Sequence, residues 1–266
     1  MEALRAPLKQ FDKFQQMIKA IDEDNYLVQV NGLGDSDRFY FMDGLGEGCR
    51  YRLIVTYSDQ RARQIHDQYR FFDKEVYVYP AKDVLFYSAD IHGNSIVQQR
   101  MEILETLAKG EPATIILTID ALLDRIPCKE ELLNNVFHIR DKDTVDLSDI
   151  IATLVEFGYE KNDWIDGAGQ FAVRGGILDI FPLTTECPYR VELWGDEVDS
   201  IRSFDVESQR SIENVENLII YPATEIVLSK DRIQKGIEKI EKEHKLYSAK
   251  LKKEFKTEEY ANKQKC

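Results

Sequence analysis

The sequence contains few of the residues that build metal and redox sites. Its 266 residues include only four cysteines and four histidines. The cysteines (Cys49, Cys128, Cys187 and Cys266) all lie more than four residues apart, so no CxxC-type motif exists, and the histidines are dispersed. We therefore expect no metal, no cofactor and free thiols, which is typical of a reducing, cytoplasmic environment.

Long apolar runs are absent as well. No stretch approaches the 18 apolar residues of a membrane-spanning helix, and the N-terminal Met1–Arg5 segment lacks the apolar run of a signal peptide. We therefore expect no membrane partner. Apolar residues still make up 43% of the chain and aromatic residues 11%, which predicts a globular protein of one large domain or two small ones.

Basic charge is scarce, and it is unevenly distributed. The 35 basic and 48 acidic residues give a formal net charge of −13, which argues against nonspecific binding to DNA or anionic membranes. Residues 229–266 nevertheless carry a net charge of +5, against −18 for the rest of the chain. We predict that this tail is a helix and that the chain does not bind DNA strongly. Direct contact of the basic tail with DNA is the weaker alternative.

The first half alternates strand-like and helix-like patterns. Helices are expected after Ser58-Asp59 and after Asn94-Ser95, where polar residues can cap the first turn. This β-α-β-α-β order predicts parallel strands with helical crossovers. The four strand candidates are Tyr26–Val30, Tyr51–Tyr57, Glu75–Tyr79 and Thr114–Ile119.

The second half has a different pattern. A helix over Asp146–Phe157, ended by Gly158, precedes consecutive strand candidates, which predict an antiparallel sheet. Those candidates are Gln170–Phe181, Tyr189–Trp194 and Val198–Phe204. Residues 218–228 are predicted to return to the parallel sheet, and an apolar stripe in the tail to pack on a core, with a coiled coil as alternative. The predicted segments are 1–127 (first domain), 128–213 (inserted domain) and 214–266 (return segment and basic tail).

The loop from Gly32 to Phe39 follows the first strand candidate, where a phosphate-binding loop would lie. Such a loop needs a second glycine, a lysine and a serine or threonine, for phosphate and Mg²⁺. Asp37, Arg38 and Phe39 occupy these three positions. Because carboxylates repel phosphate, we interpret the segment as a degenerate loop and a structural turn rather than an ATP site.

Arginines on the predicted antiparallel sheet are the second candidate. Alternation along Gln170–Phe181 places Arg174 on one face with Leu178 and Ile180, opposite Asp179. Arg190 and Glu192 share a face of the next strand. An accessible arginine on a rigid sheet is a plausible anchor for a protein partner. The alternative is an ordinary cross-strand ion pair of Arg174 or Arg190 with Glu192.

The segments QFAVRGGILDIFP (170–182), YRVELWGDEVDSIRSFDVESQRS (189–211) and IHGNSIVQQRMEILETLAKGEPATIILTIDALLDRIP (91–127) resemble a known family. With Gly32–Phe39, the similarity covers roughly residues 20–228. It is to the N-terminal region of the bacterial transcription-repair coupling factors (Mfd), which is itself similar to the first part of the helicase UvrB.

The resemblance implies a fold and a function. The expected fold class is α/β, with a RecA-like parallel-sheet domain similar to the first domain of UvrB. A smaller α+β domain that contains an antiparallel sheet is expected to be inserted in it and to dock onto UvrA. In this family the ATP-driven translocase and the RNA polymerase-binding domain lie further along the chain. The chain is therefore expected to be a non-catalytic recruitment module. An ATP-binding fragment of a UvrB-like DNA helicase is the alternative.

The UvrA-facing residues of UvrB-type domains can be carried over by position. An arginine of the first docking loop falls at Lys161, and the two arginines of the following strand fall at Ala172 and Arg174. An arginine and a glutamate of the next strand fall at Arg190 and Glu192. Lys161 keeps the charge without the bidentate geometry, and Ala172 loses the contact. The resemblance thus predicts UvrA binding by Lys161, Arg174, Arg190 and Glu192.

Overall fold

A computed structural model describes residues 2–22, 27–82, 92–227 and 230–253. Its elements alternate between α and β in the first half, and strands dominate the second. In chain order they are α1 (Glu2–Lys9), α2 (Asp12–Asp22), α3 (Asp35–Leu45), β1 (Tyr51–Thr56), α4 (Asp59–Tyr69), β2 (Val76–Tyr79), α5 (His92–Lys109), β3 (Ala113–Thr118), α6 (Ile119–Leu123), α7 (Lys129–Asn134), β4 (Phe137–Arg140), α8 (Leu147–Glu156), β5 (Glu160–Lys161), β6 (Gln170–Arg174), β7 (Ile177–Phe181), β8 (Tyr189–Trp194), β9 (Glu197–Phe204), β10 (Ser211–Asn214), β11 (Asn217–Ile220) and α9 (Lys230–Lys253).

Three of the predicted strands form the expected parallel sheet. Its order is β1-β3-β2, and both pairings are parallel. The Ser58 hydroxyl accepts a hydrogen bond from the Arg61 amide and caps α4, as predicted. The apolar side of α5 packs Met101 and Leu104 against Ile115 and other residues of β3. The β-α-β-α-β interpretation is confirmed for these three strands.

The first predicted strand and one predicted helix start are wrong. Residues 27–30 form no strand and pair with no strand within the described part of the chain, and Leu27 is 89% exposed. The rest of that prediction, at Tyr26, lies outside the described residues. Helix α5 begins at His92 rather than after an Asn94-Ser95 cap.

The N-terminal helices are tied to α3 by a buried ion pair. The guanidinium of Arg5 donates to both carboxylate oxygens of Asp43, at 2.6 and 2.7 Å, and Asp43 is fully buried. The side chains of Leu8 and Phe14 pack directly against Gly44. A Cβ added to Gly44 would lie only 2.6 Å from Leu8 and 2.9 Å from Phe14. The absence of a side chain at Gly44 therefore allows α1 and α2 to approach α3 closely.

A six-stranded sheet follows in the second half, in the order β10-β9-β8-β7-β6-β5. All its pairings are antiparallel except β5 with β6. The prediction of a single strand over Gln170–Phe181 is wrong, because Gly175 and Gly176 form a tight turn between β6 and β7. Gly175 has a φ of +61°, which glycine adopts without strain. The turn changes which side chains share a face.

One side of this sheet carries the largest buried core in the described residues. Phe171, Leu178, Ile180 and Val191 are fully buried there against the apolar side of α8. The predicted helix is confirmed: the Asp146 carboxylate accepts from the Ser148 amide, and Gly158 follows at φ +83°.

The return segment does not rejoin the parallel sheet, contrary to the prediction over residues 218–228. Strand β11 pairs with β4 in antiparallel register instead, and Leu218 and Ile220 lie in the same core as α8. The short β4, which the sequence pattern did not show, provides the pairing edge.

A buried cluster of charges links the two halves. Arg100 of α5 is fully buried and donates to both Glu225 oxygens, at 2.6 and 3.1 Å. It also donates to Asp124 at 2.9 Å and to the Pro80 carbonyl at 2.6 Å. Its guanidinium lies 4.2 Å from the centre of the Tyr79 ring. These contacts fix the segment after β11 on the parallel-sheet half.

The tail forms a helix, as predicted, but its stripe is not packed on a core. Ile233, Ile237, Ile240 and Tyr247 of α9 are between 44% and 68% exposed. Leu251 is buried, and Phe255, the last residue of the predicted stripe, lies outside the described residues. No helix within the four described ranges is long and apolar enough to cross a membrane.

Candidate functional site

The side of β6–β9 that faces away from the core carries a set of charged residues, which we call the arginine face. Cross-strand pairs place its members side by side, since residues directly opposite each other share a face. Arg174 lies opposite Ile177 and Ile177 opposite Glu192, while Asp179 lies between Ala172 and Arg190. The arginine face comprises Ala172, Arg174, Ile177, Asp179, Arg190, Glu192, Ser200 and Arg202.

Asp179 organises two of the three arginines. Its carboxylate is 2% exposed and accepts hydrogen bonds from Arg174 and from Arg190, the latter at 2.6 and 2.9 Å. The Arg190 guanidinium also lies 4.5 Å from the centre of the buried Phe204 ring. The bonds to Asp179 raise the pKa of Arg190 further above its ordinary value, although partial burial opposes this. Both arginines are therefore held in place by the same buried carboxylate.

The remaining charges of the face form a second pair. Glu192 accepts hydrogen bonds from Arg202 and, at 3.3 Å, from the Ser200 hydroxyl. The predicted alternative, a pair of Glu192 with Arg174 or Arg190, is wrong in its partner. The hairpin turn at Gly175-Gly176 brings Asp179 onto the same face as Arg174. Its carboxylate pairs with both Arg174 and Arg190, and Glu192 pairs with Arg202 instead.

The structure brings three of the four predicted binding residues together. Arg174, Arg190 and Glu192 lie on the arginine face, and the Arg174 side chain is 47% exposed. Lys161 is exposed at the edge strand β5, in register with Phe171, whose side chain lies on the core side. Ala172 is buried beneath Ile165 and Phe204. Arg174 is thus the most accessible of the three arginines of the face, since the side chains of Arg190 and Arg202 are 19% and 31% exposed.

The predicted phosphate loop has a different structure from that of a nucleotide site. Gly32 has a φ of +83°, but α3 already begins at Asp35, so Asp37, Arg38 and Phe39 are helical. A Cβ at Gly34, the residue before the helix, would lie 3.2 Å from an Asp37 carboxylate oxygen. Phe39 is buried against Tyr69, with ring centroids 6.3 Å apart. An acidic group therefore lies at the helix N-terminus, where a phosphate would bind.

Three functional candidates escaped the sequence reasoning. The alternation along the strands predicts the wrong face for Asp179, and the sequence pattern does not single out Arg202 or Trp194. The available signal was the Gly175-Gly176 pair inside an apolar run, because two glycines between strand-like segments are typical of a two-residue hairpin. Pairing the strands across that turn would have placed Asp179 beside Arg174.

Comparison with known proteins agrees with this geometry. Residues 137–226 match the UvrB interaction domain family, and this range contains α8 and the whole six-stranded sheet. The fold and the match together define a protein that contains a UvrB interaction domain.

The curated relatives identify the larger group. The chain is 30% identical to the transcription-repair-coupling factor of Bacillus subtilis (strain 168) over 91% of its own length. Over 88% of its length it is 30% identical to the same factor of two Staphylococcus aureus strains, RF122 and USA300. It spans about one-fifth of the length of these relatives. The chain is thus similar over about nine-tenths of its length to part of the transcription-repair-coupling factors, and its residues 137–226 match the UvrB interaction domain family.

Proposed function

We propose that this chain is a recruitment module that binds UvrA through the arginine face. In a longer polypeptide that also engages RNA polymerase and DNA, it would bring nucleotide excision repair to a stalled polymerase. The relatives' names and the UvrB interaction domain support this role. The direct partner, UvrA, is part of our proposal.

The observation that carries the proposal is the state of Arg174. Its guanidinium is half exposed, yet it is fixed by a carboxylate that is itself buried. Fixing a long side chain before binding removes part of the entropy cost of ordering it in a complex. A planar guanidinium can also form paired hydrogen bonds to a carboxylate on a partner.

We propose further that the parallel sheet belongs to a degenerate RecA-like domain without catalytic activity. The β1-β3-β2 order and the helix that follows Gly34 support the likeness to such a domain. The carboxylate of Asp37 and the burial of Phe39 disfavour the alternative of an ATP-binding helicase fragment.

Calorimetric titration of the whole chain against UvrA tests the main proposal. Arg174→Ala should weaken binding by about 2 kcal/mol, the range of a central interface anchor. Arg140→Ala is the matched control, because Arg140 is exposed on β4, away from the arginine face. Equal affinity of the two variants, with an intact circular dichroism spectrum, would remove Arg174 from the interface.

A separate titration with a fluorescent ATP analogue tests the absence of nucleotide binding. We expect no saturable binding at micromolar concentrations. Micromolar affinity that disappears on Arg38→Ala would support the helicase alternative instead.

A further inference from the structure

Helix α9 carries apolar side chains that the single chain leaves open to solvent. Four of them are between 44% and 68% exposed: Ile233, Ile237, Ile240 and Tyr247. The start of the helix is tied to α7 by an ion pair of Arg232 with Glu131. Beyond that point an amphipathic helix of this kind normally owes its stability to an element that covers its apolar side. The four side chains therefore indicate a place where another element packs.

The spacing of these side chains indicates which kind of element fits them. Together with His244 they recur every 4, 3, 4 and 3 residues, which matches the a and d positions of a heptad repeat. We call these five residues, 233 to 247, the seam. A helix that packs on a globular core carries a wider stripe, which also includes apolar residues at e or g. The e and g positions here are all polar or glycine: Gln234, Gly236, Glu241, Glu243, Ser248 and Lys250. The narrow seam is typical of a coiled coil.

The charges beside the seam favour a parallel pair of identical helices. In a parallel pair, each g residue faces the e residue of the next heptad in the other helix. Gly236 would then face Glu241, and Glu243 would face Ser248, so no like charges meet. In an antiparallel pair centred between Ile240 and His244, each of the two glutamates would face its own counterpart. Like charges that face each other destabilise the pair, so the parallel arrangement is favoured.

The remaining positions of α9 agree with a parallel pair. Equal residues would form each layer, with isoleucine on isoleucine in three of the five layers of the seam. His244 would form a polar layer at an a position, and one such layer fixes the register at a cost in stability. Most basic residues of the helix lie at the outer c and f positions, away from the seam: Arg232, Lys235, Lys239 and Lys242. Leu251, the next a position, is already buried.

We infer that the chain associates with a second copy of itself through a parallel two-stranded coiled coil of α9. The interface is the seam, and one assembly would carry two arginine faces. The seam lies outside residues 137–226, which match the UvrB interaction domain family. The inference therefore goes beyond the proposed function and does not depend on UvrA.

Sedimentation velocity of the whole chain, at concentrations from about 1 to 200 µM, tests the association. We expect the weight-average sedimentation coefficient to rise from the monomer value to that of a dimer. Each copy carries a net charge of −13, so added sodium chloride should tighten the dimer by screening this repulsion. A chain that stays monomeric at 200 µM would overturn the inference. A dimer that loosens in salt would indicate an ion-paired interface and would also overturn it.

Two lysine substitutions on the same helix locate the interface. Ile240 and Leu246 are 68% and 65% exposed, but Leu246 lies at a c position, off the seam. We expect Ile240→Lys to weaken the dimer at least about 30-fold and Leu246→Lys to change it less than about 2-fold. Because both positions are exposed, both variants should keep the circular dichroism spectrum of the parent. Equal effects of the two substitutions would overturn the seam as the interface.

A third variant is expected to strengthen the dimer. His244→Leu replaces the polar layer by an apolar one, so the dimer should tighten about tenfold. Lys245→Leu is the control, because Lys245 lies at the neighbouring b position, outside the seam. Unchanged or weaker association of the His244→Leu chain would contradict the inference.

Disulfide capture tests the parallel orientation. In a chain whose four cysteines are replaced by serine, Ile237→Cys would place one thiol on each side of the same layer. The antiparallel pair would instead set Ile237 opposite Tyr247, so the two thiols would lie about 15 Å apart along the axis, too far for a disulfide. We expect oxidised glutathione to link Ile237→Cys chains into a dimer on a non-reducing gel and to leave Leu246→Cys chains unlinked. Equal linking of the two variants, or none, would overturn the parallel seam.

Discussion

The two sheets of this protein leave very different faces open to solvent. Leu53 and Val55 of β1 share a side with Ile115 and Leu117 of β3, where α5 covers only the β3 part. They are therefore 61% and 45% exposed. The open face of the six-stranded sheet instead holds Arg174, Arg190 and Asp179 in a fixed network.

Under the proposal that the arginine face binds a partner, exposure alone does not define a recognition surface. The aliphatic side chains on β1 expose apolar area but form no directional hydrogen bonds, so any apolar group can cover them. The arginine face presents oriented donors whose geometry is set by a buried carboxylate, and such donors discriminate between partners. The comparison predicts large effects where buried groups are removed and small ones on either open face.

The largest effect is expected where the two halves meet. Arg100→Met should lower the free energy of unfolding by about 3–5 kcal/mol, because Asp124 would lose its cation and the buried Glu225 would keep only the partly exposed Lys82, at 3.1 Å. Urea unfolding followed by circular dichroism measures this. Arg63→Met, at an exposed position on α4, is the control, and a loss below about 1 kcal/mol for Arg100→Met would show that the cluster does not hold the halves together.

Substituting one leucine in each sheet compares the buried core of the six-stranded sheet with the open face of the parallel sheet. Leu178→Ala, at a fully buried position, should lower the free energy of unfolding by about 3 kcal/mol. Leu53→Ala, at 61% exposure, should change it by less than about 0.5 kcal/mol. Equal losses in chemical unfolding would mean that the β1 face is covered in solution.

The turn that builds the arginine face can be tested with two adjacent glycines. A Cβ at Gly176 would stand 2.8 Å from the Leu193 carbonyl oxygen, so Gly176→Ala should cost about 2 kcal/mol by forcing the strands apart. Gly175→Asn should cost less than about 1 kcal/mol, since asparagine tolerates a positive φ and the space is open. Thermal unfolding compares them, and the reverse order would contradict the hairpin.

The smallest effect is expected for the exposed ion pair. Glu192→Gln removes the partner of Arg202, but both side chains are about one-third exposed, so stability should change by less than about 1 kcal/mol. A loss above about 2 kcal/mol in urea unfolding would indicate that this pair, and not only the Asp179 network, holds the face together.

The local apolar periodicity of the sequence predicted many of the helices and strands. It did not predict which strands pair with each other. Strands β1, β2 and β3 and helices α4 and α8 followed from apolar spacing and from residues that begin or end a helix, such as Ser58 and Gly158. The run over Leu27–Val30 looked equally strand-like, but a strand needs a neighbour, and none pairs with it in the described residues. Strand β11 likewise took β4 as its partner, a choice that no local pattern encodes.

The candidate site was predicted in part for the same reason. Arg174, Arg190 and Glu192 were found because they resemble a known binding strand. Their ion-pair partners depended on one turn, and a turn of two glycines reverses the face of every residue that follows it. Asp179 was therefore missed, although it is the residue that orders both arginines.

Hydrogen exchange of the whole chain with and without UvrA tests the central claim most directly. We predict that UvrA slows exchange in peptides covering residues 172–179 and 190–202, and leaves those covering Tyr51–Tyr57 unchanged. Protection over Tyr51–Tyr57 without protection of the two hairpins would contradict the account, because UvrA would then bind the apolar face and not the arginines.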